Sequence, residues 1–489
     1  MVLKKLLELF GISDRQGICV AIGIFPFGMV AMFTTWASPS LSIFHSSNSP
    51  LGRFITEEEG AWVVSSYFLG IIPAGVFGGF LLNRIGRRTV LLCCSFLLCP
   101  PWILISFAIN TEVIYVARFL AGMAGSLLVF AAMIYCNEII PEGQGMDQLE
   151  SYMVSYKMLG TAFILLTNPY ISYQVLAVIC AIQPIILFCL LLLIPESPYF
   201  LMLKGDKEGA LSAMNSIASV QTLSGYLLVS PIKRLQKKLN YNLTHKITTI
   251  DFLFGSKFRH PLIVVAGMKI LQQCSGWTAI SGYMPDIINL TTSMFHWNDS
   301  SLIFGGVLIP ATISVGSIIN MFGRKPVIAI SSIAAGVALT LEGSYFYFQD
   351  ISKIDTSQIA WLPTGGIAAF LIFYNLGIGS EINMACSELF PPNTRIMMLA
   401  TTTTFEGIIA FIVTKIYKWM SRLVGVHVIM WFFATQCLLG AVFAVVFLPE
   451  TKGKRSVTEI KSCVYTSVDI DEYNDTWPII STHSLEVEN

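Results

Sequence analysis

Runs of about twenty apolar residues, separated by short polar turns, recur along this entire chain, and that recurrence leaves few folds open. Inside a bilayer every backbone N–H and C=O must be satisfied within its own helix or in a closed barrel. About 20 apolar residues of α-helix cross the hydrocarbon core. Twelve runs meet that length, over approximately 17–36, 61–82, 89–109, 112–136, 151–169, 171–194, 261–289, 302–319, 326–348, 362–380, 396–418 and 424–448. Hydrophobic residues make up 54% of the chain and charged residues 12%, the latter about half the roughly 25% of soluble domains. The expectation is an all-α membrane protein with twelve transmembrane helices.

A basic turn appears twice. Gly86-Arg87-Arg88 lies within 79–92, and Gly323-Arg324-Lys325 lies within 320–330. A tight turn needs glycine, which alone accepts φ > 0 without steric cost, and the cations hold the turn on the cytoplasmic side. A duplicated turn implies a duplicated bundle, two six-helix halves related by pseudo-symmetry. With the N-terminus inside, the cytoplasmic segments collect Lys4, Lys5, Arg15, the 84–88 turn, Arg324, Lys325, Arg395 and the tail's Lys452 to Lys461, whereas outer loops keep Arg53, Lys353, Lys418 and Arg422.

The halves are then 1–194 and 261–453, joined by a cytoplasmic helical linker, 195–260, and followed by a polar, acidic tail, 454–489. In the linker Asp206 can cap a helix starting at Lys207, and 232–239 has one apolar face for the headgroup region. The sequons at Asn289 and Asn298 fall in the outer loop between spans seven and eight, where glycosylation is expected. No cleaved signal peptide is expected from the first sixteen residues. The 11 cysteines, scattered through apolar runs without paired spacing, read as small packing residues. Zero net charge argues against a nucleic-acid partner. Without a P-loop, an HExxH pair or a nucleophile elbow, the chain shows no enzyme signature and no cofactor is expected.

Several motifs then coincide. Besides the two turns, they are Arg118 with Tyr135 and Glu138 in and after span four, Pro195-Glu-Ser-Pro after span six and Gln272-Gln-Cys-Ser-Gly in span seven. Ser387-Glu-Leu-Phe-Pro with Arg395 follows span ten, and Pro449-Glu-Thr-Lys-Gly follows span twelve. By these residues the chain resembles the sugar porter family of the major facilitator superfamily, closest in flavour to insect trehalose and glucose facilitators. The resemblance implies alternating access and a cytoplasmic charge cluster that latches the two halves together. Its members here are Arg87, Arg88, Glu138 and Glu196 in the first half, and Arg324, Lys325, Glu388, Arg395 and Glu450 in the second.

Departures from that pattern are concentrated in the pocket. Thr278 stands where the family carries an asparagine, Asn383 replaces a tryptophan, and Glu406-Gly407 replaces an Asn-Trp pair. Val154, with Lys157 nearby, replaces a glutamine, and Tyr199 replaces the arginine that usually ends the motif after span six. A sugar must exchange water for protein hydrogen bonds, and an unpaired buried hydroxyl costs about 1–3 kcal/mol. Gln272 and Gln273 offer donors and acceptors on one helical turn. With Thr278, Glu381, Asn383 and Glu406 they form the expected substrate site.

Lys269, Glu342, Glu381 and Glu406 are charges in or beside spans of the second half. A central intramembrane charge costs about 2.5–3.5 kcal/mol, so by default it is paired or functional. Lys269 can pair with Glu381 or Glu406, whereas Glu342 also fits an interfacial side chain reaching water. Glu406 and Gly407 together predict a wider, acidic cavity wall. The functional expectation is a monomeric plasma-membrane carrier for a hexose or disaccharide, working as a uniporter. A proton symporter using Glu381 or Glu406, and a sugar sensor that does not transport, are the alternatives.

Overall fold

In a computed structural model of the chain, residues 14–45, 49–140, 146–217, 249–291, 295–379, 390 and 394–448 are described. Among them the regular structure is helical throughout, with no β-strand. The helices before residue 195 are α1 (Asp14–Phe44), α2 (Glu57–Ile85), α3 (Arg87–Leu97), α4 (Cys99–Ser106), α5 (Thr111–Ile139), α6 (Met146–Thr167) and α7 (Tyr173–Leu191). Two short helices follow, α8 (Pro198–Leu203) and α9 (Lys207–Ile217). The later set is α10 (Thr249–Phe254), α11 (Ser256–Cys274), α12 (Trp277–Asn289), α13 (Trp297–Phe322), α14 (Arg324–Asp350), α15 (Leu362–Leu376), α16 (Arg395–Val424) and α17 (Val426–Phe447). Among the described residues nine helical stretches are long and apolar enough to cross a membrane. Helices α6, α11–α12 and α13 occupy the other three apolar runs of the sequence.

Local chemistry explains where these helices start and break. At α2, Thr56 and Glu59 form a reciprocal cap: Glu59 N donates to Thr56 Oγ1 at 3.2 Å, and Thr56 N donates to Glu59 Oε2 at 2.7 Å. This satisfies two of the donors that a helix start leaves open. Both duplicated turns use their glycine as expected, with φ of +110° at Gly86 and +83° at Gly323. The third span is interrupted at Leu98, because Pro100 and Pro101 lack the N–H groups that would continue the ladder. Asp206 caps α9 as its sequence suggests, taking Gly209 N–H at 2.8 Å. The 232–239 piece of the linker lies outside the described residues.

The seventh run divides into α11 and α12, where Ser275 and Gly276 interrupt it and Gly276 takes φ +87°. That left-handed position lets α12 start afresh just beyond Gln272 and Gln273. The helices before residue 195 and those after 255 pack together along α2–α16, α6–α13 and α1–α12. At Gly75 the approach is so close that a Cβ would stand 2.3 Å from Thr404 Oγ1. Small residues permit such backbone proximity in lipid, where no hydrophobic force drives helices together.

Candidate functional site

The centre of the bundle is built on an ion pair. Lys269, on α11, is buried, and its Nζ donates to Glu406 Oε2 of α16 at 2.9 Å and to Gln272 Oε1 at 3.0 Å. Gln272 Nε2 in turn donates to the Ile378 carbonyl beyond α15, at 2.8 Å. Both ends of this amide are therefore used by the protein. Gln273 lies beside the Glu406 carboxylate, and its own Oε1 is buried with no partner among the described residues. Thr278 Oγ1, early in α12, is likewise buried and unpartnered. Trp277 lies flat on Tyr374 of α15, with centroids 4.5 Å apart and planes 2° apart.

Of the six residues expected at the substrate site, the structure brings Gln272, Gln273 and Glu406 together and sets Thr278 one turn beyond Gln273. Glu381 and Asn383 lie outside the described residues. Three other expectations change. Gly407 does not widen a cavity: it is buried against α2, and a Cβ there would stand 3.1 Å from Ile71. Consecutive helical residues point about 100° apart, so Glu406 and Gly407 face different neighbours. Nor does Glu406 stand as a lone acid, because the Lys269 ammonium is paired with it at 2.9 Å. Glu342 does not reach water. Its carboxyl is buried between α14 and α15 without a hydrogen-bond partner, facing Gly366, where a Cβ would approach to 2.6 Å.

A second polar centre surrounds the first basic turn. Arg87 is fully buried, and its Nε donates to Glu138 at 3.1 and 3.0 Å, its Nη2 to the same carboxylate at 2.8 Å and its Nη1 to the Leu82 carbonyl at 3.2 Å. Glu138 also accepts the Ser197 hydroxyl. Glu196 accepts the backbone N–H groups of Arg87, Arg88 and Ser197 at 3.0, 2.9 and 2.9 Å. Arg88 donates to the Leu191 and Leu192 carbonyls at 3.1 and 2.8 Å. Tyr199 and Phe200 place their rings 5.7 and 5.1 Å from the Arg87 guanidinium.

Among the described residues Arg87, Arg88, Glu138 and Glu196 bond within 82–200, stapling the α2–α3 turn to the ends of α5 and α7 and the start of α8. Their partners are in reach there because the α2–α3 turn, the end of α5 and the start of α8 converge. Arg324 is buried at the start of α14, Lys325 follows it half-buried, and Arg395 opens α16. Glu388 and Glu450 lie outside the described residues. Asn289 and Asn298 are exposed, at the end of α12 and in the first turn of α13.

At the end of the bundle away from the Gly86 turn, contacts join early and late helices that sequence reasoning did not single out. Arg422 of α16 pairs with Glu57 of α2, Nη2 to Oε2 at 2.5 Å. Asp286 of α12 pairs with Lys418 and lies 3.6 Å from His45 Nδ1 beyond α1. Lys415 sits 4.0 Å over the Trp62 ring. Excess cations at the ends of late spans were the available signal, but acids 365 positions away gave none.

Long apolar helices that close over a central ion pair and glutamine amides define a multi-pass membrane carrier. The chain belongs to the sugar (and other) transporter family, whose model matches residues 18–462, and is a sugar porter of the major facilitator superfamily. It is similar to the facilitated trehalose transporter Tret1 of Polypedilum vanderplanki, at 28% identity over 446 residues, covering 91% of this chain and 86% of the relative. Tret1 of Drosophila willistoni is 26% identical over 441 residues, 89% of this chain but 49% of that protein, so the chain spans about half its length. The proton:xylose symporter XylE bound to 6-bromo-6-deoxy-D-glucose superposes with a TM-score of 0.73 at 18% identity, over 93% of this chain and 100% of that one. Partially occluded inward-open XylE from E. coli also gives 0.73 at 18% identity, over 91% and 100%. At that identity the likeness concerns the fold.

Proposed function

We propose that this protein is a facilitative, alternating-access carrier for a hexose or disaccharide in the plasma membrane. Its twelve spans form two six-helix bundles, 1–194 and 261–453, joined by the cytoplasmic segment 195–260, with both termini cytoplasmic and the monomer as the working unit. Arg87, Arg88, Glu138 and Glu196 hold the cytoplasmic rim of the first bundle rigid. Arg324, Lys325, Glu388, Arg395 and Glu450 serve the second. Asn289 and Asn298 then face outward as glycosylation candidates.

The observation that carries this reading is the 2.9 Å Lys269–Glu406 pair beside Gln272 and Gln273. Proton coupling needs a carboxylate that alternates between charged and neutral forms during the cycle. A carboxylate with a built-in ammonium partner keeps its charge throughout. Arg118, also buried, donates to the Phe33, Val63 and Val64 carbonyls and lies 5.1 Å from the Tyr67 ring. It meets no carboxylate among the described residues. The Tret1 relatives, named as facilitated trehalose transporters, support a neutral downhill mode. Uptake of labelled trehalose and glucose into proteoliposomes tests it: flux should continue to equilibrium and be unaffected by an uncoupler. Accumulation above equilibrium driven by an inward proton gradient would refute uniport, and binding without flux would mark a sensor.

A further inference from the structure

At the end of the bundle away from the Gly86 turn, one ion cluster spans early and late helices and contains a histidine. Asp286 of α12 accepts the Lys418 ammonium of α16, and its Oδ1 lies 3.6 Å from Nδ1 of His45, which follows α1. The His45 and Asp286 side chains are 23% and 16% exposed, so water and salt screen them only in part. Nε2 of the same imidazole is buried with no hydrogen-bond partner among the described residues. On that side the ring meets the start of α2, where a Cβ on Gly60 would stand 3.3 Å from Nε2.

The segment that carries Asp286 is fastened to the late helices more firmly than to the early ones. Helix α12 leaves helical geometry at Tyr283, two residues before Pro285. The Tyr283 hydroxyl donates to the Thr414 carbonyl of α16 at 3.1 Å, and its ring stacks on Tyr417 at 5.1 Å and lies 5.2 Å from Lys418 Nζ. Towards the early helices the segment meets His45 and, at Gly282, the Val64 side chain of α2, where a Cβ would stand 2.6 Å away. The other charges around the imidazole are engaged or solvated. Glu57 pairs with Arg422 and Glu59 with Arg53, each at 2.5 Å, while Glu58 is exposed. Of these side-chain types, histidine alone changes charge between pH 5 and 8.

A separation of 3.6 Å is too long for a hydrogen bond from a neutral imidazole, whereas an imidazolium and a carboxylate attract one another at that range. Protonation therefore turns a neutral neighbour into a counter-ion, across the junction between α1 and α12. We propose that His45 and Asp286 form an acid-sensitive lock on this end of the carrier, closed by external protons. This rests on the alternating-access reading, in which this end faces outward, and adds regulation to it. Low external pH charges His45, stabilises the arrangement in which the end of α1 meets α12, and slows opening to the outside. The sign is opposite to that of proton symport, in which external acid speeds uptake.

The test uses the full-length protein in intact cells with Val64→Cys, a position 1% exposed between α2 and α12. Its labelling by an impermeant maleimide added outside reports opening of this end. Dividing each rate by that of a chain also carrying His45→Gln cancels the thiol's own pH dependence. The ratio should fall by about two- to fivefold from pH 8 to pH 5.5, the worth of one partly exposed ion pair whose carboxylate Lys418 already shares. Asp286→Asn should leave the ratio flat, and His45→Lys, charged throughout, should hold it low at both values. A ratio unmoved by pH in the unmodified lock, or an equal fall in Asp286→Asn, would overturn the lock alone. A Val64→Cys chain that no external reagent reaches at any pH, in any variant, would overturn alternating access and the lock with it.

Discussion

Truncating Glu138 to alanine isolates the staple at the first basic turn, and the expected loss can be worked from the contacts. Glu138 accepts three N–H···O bonds from Arg87, at 3.1, 3.0 and 2.8 Å. The Arg87 side chain is fully inaccessible and that of Glu138 is 14% exposed. After truncation the guanidinium keeps only the Leu82 carbonyl at 3.2 Å and the faces of Tyr199 and Phe200. Breaking a buried pair by deleting one partner costs about 3–5 kcal/mol, because the other charge is left uncompensated. The slight access of water to Glu138 favours the lower figure, about 3 kcal/mol. At about 2–4 °C per kcal/mol for a unit of this size, Tm should fall by about 6–12 °C. The assay is thermal denaturation of purified protein at one fixed scan rate, since unfolding of such proteins is commonly irreversible. Arg87→Leu combined with Glu138→Ala should cost much less than the sum of the single losses. A Tm within about 2 °C of wild type, or a double mutant additive to about 0.5 kcal/mol, would refute the staple.

Other perturbations separate the remaining assignments. Glu406→Gln removes the carboxylate that holds Lys269 at 2.9 Å and should cut initial uptake by about tenfold or more, with partial rescue by adding Lys269→Met; a single variant with wild-type uptake would remove the pair from the transport cycle. Gly407→Trp should lower the yield of monodisperse protein, because a Cβ already stands 3.1 Å from Ile71 and overpacking costs about 1–3 kcal/mol. A well-folded variant with altered sugar preference would instead return Gly407 to the cavity wall. Glu57→Arg should increase impermeant maleimide labelling of a cysteine placed at Trp62, by up to about fivefold for an exposed pair, and Arg422→Glu in the same chain should reverse it. Equal labelling in all three would deny the pair any part in closing that end.

The sequence by itself determined the features that depend on neighbouring residues. Transfer energy over twenty residues located the helices, the glycines at 86 and 323 took the positive φ that their turns require, and Asp206 capped the helix that begins at Lys207. The motifs of the turns, of the Gln272 segment and of the span ends carried the family, since they are read in order along the chain. Only the tertiary structure decided which residues meet. It joined Lys269 to Glu406 across 137 positions and Arg87 to Glu138 across 51, turned Gly407 onto α2 and buried Glu342. The physical reason lies in the solvent. A soluble helix shows its inner face by a stripe of apolar residues, but a helix in lipid is apolar all round, so its rotation is set by packing against neighbours. Which charges face one another is therefore a property of the assembled bundle.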